Sequence, residues 1–141
     1  EETNEYPLVL ITGGRTRPLF HSEHRQLGMG MREKHPDPIM EIHPQTAGNL
    51  CIEDGDWVYI ETKRGVIRQK ARVTEDIHPQ VVNVESHWWF PEQPAPEPWL
   101  HGLWPSNANL LTLDEPDTLD PLTGGWTLRA LQCKVYKMQT P

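Results

Sequence analysis

The chain has 141 residues, a formal net charge of −7 at pH 7 and a hydrophobic content of 36%. This length favours one domain with its own core, and the acidic charge argues against nucleic-acid binding, which requires a basic surface. No run of residues approaches the ~18 apolar residues that a membrane-spanning helix requires. Fourteen prolines favour a barrel or sheet with many loops, since proline is excluded from central strands and helix interiors.

Six short segments rich in aliphatic and β-branched residues predict strands. In chain order they are residues 7–12, 39–43, 56–62, 66–74, 81–85 and 130–137. Pro44 suits the first position of a helix of about two turns, and further helical turns are predicted near 22–27 and 107–113. Six strands with few short helices favour a small closed barrel, because closure removes exposed strand edges.

Two neighbouring segments near the N-terminus concentrate groups that can bind a ligand. The first strand ends in Gly13 and Gly14, which let a backbone approach a phosphate closely, although an ordinary glycine turn explains them too. Polar donors follow in residues 19–26. These donors are His21, Ser22, His24, Arg25 and Gln26. They fit either a ligand-facing loop or a solvated loop, and His21 and His24 together with His35 also have the chemistry of zinc ligands.

The remaining motifs indicate binding rather than catalysis. Residues 85–90 read ESHWWF, which suits either a hydrogen-bonded histidine among core aromatics or a site for a flat heterocycle. In residues 107–125 the asparagine amides could fix a loop or grip a ligand, whereas Asp114, Asp117 and Asp120 suit capping and turn formation. Cys51 and Cys133 are far apart in sequence and are both predicted to be small buried residues. No nucleophile–base pair stands out, and no serine occupies a nucleophile elbow.

Taken in order, these motifs resemble the C-terminal dinucleotide-binding domain of the molybdopterin oxidoreductases. That superfamily includes formate dehydrogenases, dimethyl sulfoxide reductases and thiosulfate/polysulfide reductases. The segment ITGGR (11–15) is similar to the family's T-G-R loop, and residues 42–65 match its pattern of proline, alanine, I-x-x-G-D-x-V and R-G. The segments HWW (87–89) and NLLTLD (109–114) are similar to its H-x-W and N-x-L-T segments.

The resemblance implies a mainly β fold, a six-stranded double-psi β barrel with short helices. It implies that residues 1–141 form a single domain, a C-terminal fragment of a larger chain. The implied function is to bind the bis-(molybdopterin guanine dinucleotide) cofactor with molybdenum or tungsten in an oxidoreductase like formate dehydrogenase or thiosulfate/polysulfide reductase. The implied partners are other domains of the parent enzyme and an iron–sulfur electron-transfer subunit, with no nucleic acid.

The resemblance also implies which residues contact the cofactor. The first loop would consist of Thr12, Gly13, Gly14 and Arg15. The donors to pterin or phosphate would be His21, Ser22, His24, Arg25 and Gln26, with His87 and Trp88 facing the pterin and Asn109 bonding it. Members of the family carry the metal's protein ligand in other domains, so we expect no metal ligand in this chain and no redox chemistry from the chain alone.

Two alternatives remain open from the sequence. The chain could be a stand-alone β-barrel binding or interaction module without the cofactor, or a small zinc hydrolase that uses His21, His24 and His35. The proline-rich stretch 91–105 carries Trp99 and Trp104, and we expect it to cover a neighbouring domain or the mouth of a substrate funnel.

Overall fold

Strands dominate the computed structural model, which describes residues 2–14, 31–90 and 92–139. The strands are β1 (Leu8–Gly14), β2 (Ile39–Ile42), β3 (Trp57–Glu61), β4 (Val66–Val73), β5 (Val81–Glu85) and β6 (Arg129–Lys137). Each predicted strand is confirmed, with every boundary within two residues of its predicted position. The helical turn predicted at 22–27 lies outside the described residues.

Short helices connect the strands. The α-helices are α1 (Glu2–Glu5), α2 (Met31–Lys34) and α3 (Pro44–Asn49), and the 3₁₀ helices are Leu100–Gly102, Ala108–Leu111 and Pro116–Thr118. Helix α3 begins as predicted, because Pro44 occupies its first turn and the His43 side chain accepts a hydrogen bond from the Gln45 N–H. Among the described residues, each helix is too short and too polar to cross a lipid bilayer.

The six strands close into a barrel in the order β1-β5-β2-β4-β3-β6, and β6 pairs back onto β1. Two neighbouring pairs, β1 with β5 and β2 with β4, run parallel, whereas the other pairs are antiparallel. Parallel neighbours require connections that cross the end of the barrel. Strand number, closure and the two parallel pairs therefore confirm the mainly β, six-stranded double-psi barrel expected from the sequence.

Alternate residues of each strand fill the barrel interior. The inward positions of β2 and β5 are Met40, Ile42, Val82 and Val84, and all four are fully buried. On β4 the inward positions are Ile67, Gln69 and Ala71. Gln69 is thus a fully buried polar side chain in an otherwise aliphatic interior, where an unpaired amide would be costly.

The Gln69 amide is satisfied by backbone groups from two other parts of the chain. Its Oε1 accepts the N–H of Glu85 at 3.0 Å, and its Nε2 donates to the Glu85 carbonyl at 2.9 Å. The same Nε2 donates to the Ser106 carbonyl at 3.2 Å. One side chain therefore joins the end of β5 to the loop that precedes the 3₁₀ helix Ala108–Leu111.

The two cysteines differ in their surroundings. Cys133 is fully buried on β6, and burial raises the pKa of its thiol to about 12. The prediction for Cys51 is wrong, because this residue is exposed. It follows Leu50, the C-cap of helix α3, and has a φ of +54°, so the chain turns away from the helix there and the side chain does not enter the core.

The proline-rich stretch 91–105 exposes its two tryptophans. Trp99 and Trp104 both lie more than half exposed, and the Trp104 indole N–H donates to the Pro98 carbonyl. Within this stretch the described residues form turns and the 3₁₀ helix Leu100–Gly102.

We predict that Gln69→Met lowers the free energy of unfolding by about 2–4 kcal/mol although it conserves volume. The substitution leaves three buried backbone groups without the amide that pairs them. Urea unfolding of the chain measures the effect. The matched control is Ile67→Leu, the preceding inward position of β4, for which we expect a loss below about 1.5 kcal/mol. Equal losses in the two variants would show that the Gln69 hydrogen bonds add no stability.

We predict that Asp56→Asn makes the free energy of unfolding depend less on pH in the acid range. Hydrogen bonds from Lys137 and from the Glu53 N–H hold the pKa of Asp56 below its usual value. A lowered folded-state pKa contributes stability above the unfolded pKa of 3.8, and this contribution is lost as the pH falls through the folded-state value. The stability difference between wild type and variant should therefore be largest near neutral pH and shrink below about pH 4. A difference that stays constant down to about pH 2.5 would contradict this.

Candidate functional site

The predicted ligand loop, at the end of β1, and the ESHWWF segment (85–90), at the end of β5, lie at the same end of the barrel. Because β1 and β5 run parallel, their C-terminal residues are neighbours, with Gly14 paired to Glu85. Strand β6 is antiparallel to β1, so its first residue, Arg129, pairs with Ile11 at this same end. We call the residues Gly13, Gly14, His87 and Arg129 the glycine rim.

Thr12 is part of the barrel wall. Its side chain is buried, and both its Oγ1, at 2.6 Å, and its backbone N–H, at 3.1 Å, donate to the Leu128 carbonyl. These bonds fasten the end of β1 to the segment that leads into β6. Any contact of Thr12 with a ligand therefore involves the backbone around it, while its hydroxyl proton is used within the fold.

Gly13 is the first residue of β1 that faces solvent at the rim. A Cβ atom on Gly13 would lie 3.8 Å from Nη2 and 3.9 Å from Nε of Arg129, which is ordinary van der Waals contact. The fold itself therefore has room for a side chain at this position. The glycine leaves the outer surface of the backbone open beside an arginine guanidinium, as close approach of a ligand requires.

A buried carboxylate fixes the end of β5. Glu85 Oε2 lies 2.7 Å from His35 Nε2 and accepts the Ile39 N–H at 3.2 Å, while its own backbone is bonded to Gln69. The Glu85 side chain is 6% exposed and that of His35 is 22% exposed. This network leaves little freedom for the chain where it departs from β5 towards the rim.

The histidine and the first tryptophan of the HWW segment point to different places. His87 adopts a left-handed φ of +59°, is exposed, and has its Nδ1 2.8 Å from the Ser86 hydroxyl. Trp88 is fully buried, with its ring edge-on to His35 at 5.6 Å and to Phe90 at 5.9 Å. The structure therefore presents His87 at the surface and places Trp88 behind it.

Residues 107–113, which we call the asparagine segment, lie at the same end of the barrel. The Asn107 side chain caps the 3₁₀ helix Ala108–Leu111 by accepting the Asn109 N–H, and its Nδ2 donates to the Trp88 carbonyl at 3.2 Å. Asn109 itself is exposed. Gly65 permits this packing, because a Cβ there would lie only 2.8 Å from the Leu110 carbonyl oxygen.

A cavity of about 260 Å³ adjoins this segment. Its walls come from the β3–β4 turn, from the end of the asparagine segment and from the start of β6. The lining residues are Thr62, Lys63, Leu111, Leu113, Thr118, Thr127, Ala130, Leu131 and Gln132. The lining mixes leucines with hydroxyl and amide side chains, so the cavity suits a partly polar group rather than a purely apolar one.

Several predicted contacts lie outside the described residues. They are Arg15, His21, Ser22, His24, Arg25 and Gln26. Of the alternative zinc set only His35 is described, and it is paired with Glu85. The residues at 2–14, 31–90 and 92–139 contain no group of three or more His, Cys, Asp or Glu side chains arranged for a metal ion.

Two residues of this end were not found from the sequence. The sequence leaves open whether the asparagine amides fix a loop or grip a ligand, and the structure shows that Asn107 joins the Trp88 segment to the 3₁₀ helix. Arg129 was left just outside the last predicted strand, so its position beside Gly13 could not be foreseen. The available signal was weak, namely an arginine directly before an alternating strand.

Comparisons with known proteins agree on one family. The family model described as "Molydopterin dinucleotide binding domain" matches residues 8–130. Dopamine dehydroxylase of Eggerthella lenta is 43% identical over 137 residues, and acetylene hydratase of Syntrophotalea acetylenica is 34% identical over 141 residues. The solved structure of acetylene hydratase from Pelobacter acetylenicus superposes with a TM-score of 0.88 at 31% identity and covers 96% of this chain.

The relatives are much longer than this chain. The matches cover 97% of the chain but only 13% of the dehydroxylase and 19% of the hydratase, and the solved hydratase structure is likewise covered over 19% of its length. The chain thus spans less than a fifth of the length of these relatives.

We predict that Gly13→Ala preserves the fold but weakens ligand binding at the rim. The backbone there is compatible with alanine and the nearest atoms are at contact distance, so the free energy of unfolding should stay equal or rise by up to about 1 kcal/mol. The added methyl group occupies the open outer surface, so the complete protein should retain less ligand. The matched control is Gly48→Ala in α3, whose Cβ would meet no atom within 4 Å. Equal ligand content in the two variants would contradict the prediction.

Proposed function

Because the chain belongs to the molybdopterin dinucleotide-binding domain family, we propose that its glycine rim holds part of a bis-(molybdopterin guanine dinucleotide) cofactor with molybdenum or tungsten. The observation that carries this proposal is the meeting of the β1, β5 and β6 ends. That meeting places an open glycine backbone, an exposed histidine and an exposed arginine together on one end of the barrel.

The donor set of the rim fits the chemistry of such a cofactor. Phosphate oxygens are bound by backbone N–H groups and by guanidinium groups, and pterin edges by amides and imidazoles. Gly13 offers open backbone, and His87 and Asn109 offer exposed polar side chains. We assign the phosphate contacts to residues 12–15 and the pterin contacts to His87 and Asn109. The donors His21, Ser22, His24, Arg25 and Gln26 complete this proposed set.

The buried residues next to the rim have a supporting role in this proposal. Trp88, directly after His87, is fully buried and packs edge-on against His35, and Thr12 fastens β1 to Leu128. The bound cofactor supplies the metal at which electrons or substrate are exchanged. The residues of this chain bind and orient the organic part of the cofactor, and none of the described side chains is assigned a catalytic step.

We propose that residues 1–141 act as one domain of a larger oxidoreductase. The match covers only a small part of each relative's length, which supports the presence of other domains. Those domains would hold the metal ligand and determine the substrate, with formate dehydrogenase-like or thiosulfate/polysulfide reductase-like activity as the specific expectation. An iron–sulfur electron-transfer subunit is the proposed partner of that enzyme.

A second candidate function is a β-barrel interaction module without the cofactor. Exposed apolar side chains near the start of β6 favour it, because Leu122 is 93% exposed and Trp126 is 55% exposed. Isolated exposed hydrophobic residues are common, but a group of them marks a contact surface. In the main proposal the same side chains contact other domains of the enzyme.

Cofactor analysis of the complete protein separates the two candidates. We expect the purified protein to release pterin and guanosine monophosphate and to contain molybdenum or tungsten in the ratio of the bis form. His87→Gln should lower the guanosine monophosphate released per protein, since it removes a ring nitrogen of the rim. The control is His78→Gln, which changes an exposed histidine at the opposite end of the barrel.

The protein could be produced in a host that makes the cofactor for other enzymes and still contain neither pterin nor nucleotide. That result would overturn the main proposal and favour the interaction module. Equal nucleotide content in the His87 and His78 variants would remove His87 from the contact set.

A further inference from the structure

Strand β6 contains an irregularity where it passes the end of β1. Leu131 pairs with Leu10, but the next residue of β1, Ile11, pairs with Arg129. Ala130 is thus an extra residue on β6, and it adopts a left-handed φ of +63°. An alanine in this region is strained relative to glycine, so the surrounding structure must hold it there. Such bulges change the direction in which neighbouring side chains point.

The bulge determines the face on which Arg129 lies. In a regular strand Arg129 would share the inward face of Leu131, which is buried in the core. With Ala130 as the extra residue, Arg129 instead lies opposite Ile11, on the outer face that Gly13 shares. The exposed guanidinium therefore reaches the Gly13 backbone, with Nη2 3.8 Å from the position a Cβ would take.

Arg129 also differs from most other cations of the barrel. Five described lysines and arginines form ion pairs with carboxylates. These pairs are Arg64–Asp114, Lys70–Asp37, Arg72–Glu41, Lys134–Glu61 and Lys137–Asp56. Arg129 forms no ion pair with any residue that the structure describes, although the chain carries a net charge of −7. With respect to the described residues, its charge is therefore available to an anion beside Gly13.

We propose that Arg129 is an anion-binding residue of the glycine rim and that its guanidinium contacts a phosphate group of the dinucleotide lying along Gly13. The inference rests on the proposed function and adds a contact that the sequence motifs do not contain. A planar guanidinium suits phosphate because it donates two parallel hydrogen bonds. His87, on the β5 side of β1, and Arg129, on the β6 side, then approach the ligand from opposite sides of Gly13 and Gly14.

The test compares Arg129→Met with Arg72→Met in the complete protein. Both substitutions remove one positive charge, but Arg72 lies near the opposite end of the barrel and pairs with Glu41. The readout is guanosine monophosphate retained per protein after dialysis at increasing KCl concentrations. We expect Arg129→Met to weaken retention by about ten- to a hundredfold and to reduce its salt dependence. Arg129→Lys should recover part of the retention, and Arg72→Met should match wild type.

Thermal unfolding separates binding from stability. Since Arg129 has no ion pair among the described residues, Arg129→Met should change the melting temperature of the cofactor-free protein by less than about 2 °C. If Arg129→Met does not fold, Arg129→Gln against Arg72→Gln gives the same comparison.

Each result has a distinct meaning. Wild-type protein without nucleotide overturns the proposed function itself. If wild type and Arg129→Met retain the same amount of nucleotide at every salt concentration, the role of Arg129 is overturned and the proposed function is not. An equal loss in the Arg129 and Arg72 variants also overturns it, because the effect then comes from net charge. Added inorganic pyrophosphate should displace nucleotide less from wild type than from Arg129→Lys, and the reverse order would count against a phosphate contact.

Discussion

The arrangement of this barrel depends on one buried amide, that of Gln69. A double-psi barrel brings loops from distant parts of the sequence to the same end, and those loops need a fixed relation to each other. Gln69 provides it by bonding both backbone groups of Glu85 and the carbonyl of Ser106. The amide is satisfied because it meets one backbone N–H and two backbone carbonyls, so its burial stabilises the fold instead of opposing it.

The same end of the barrel divides its residues by the direction they face. Thr12, Trp88 and Asn107 are buried and bond or pack within the fold. Gly13 directly follows Thr12, and His87 directly precedes Trp88. Gly13 and His87 nevertheless both face solvent. Each exposed residue is therefore covalently joined to a rigid neighbour. This is the arrangement that a binding site needs, because a ligand then meets groups whose positions are already set.

The strands could be predicted well from the sequence, and the roles of individual side chains less well. Alternation and turn residues such as Gly55 and Gly65 define the strands locally. The buried position of Gln69 also follows from alternation, since it shares a face with Ile67 and Ala71, but its partners are distant in sequence. No local signal announces a left-handed Ala130 or a left-handed His87, so the directions of Arg129 and Trp88 could not be derived. The contacts proposed for residues 15–26 stay predictions.

The parallel pairing of β1 with β5 has a consequence for how this domain is made. Among the strands that the structure describes, β1 pairs with the last two alone, β5 and β6, so none of its described partners exists while β2, β3 and β4 are being synthesised. Contacts between such distant segments form slowly, because a long loop must close before they stabilise anything. A nascent chain therefore has no complete rim until β6 has left the ribosome. Under the proposed function, cofactor insertion at this end would follow translation of the whole segment.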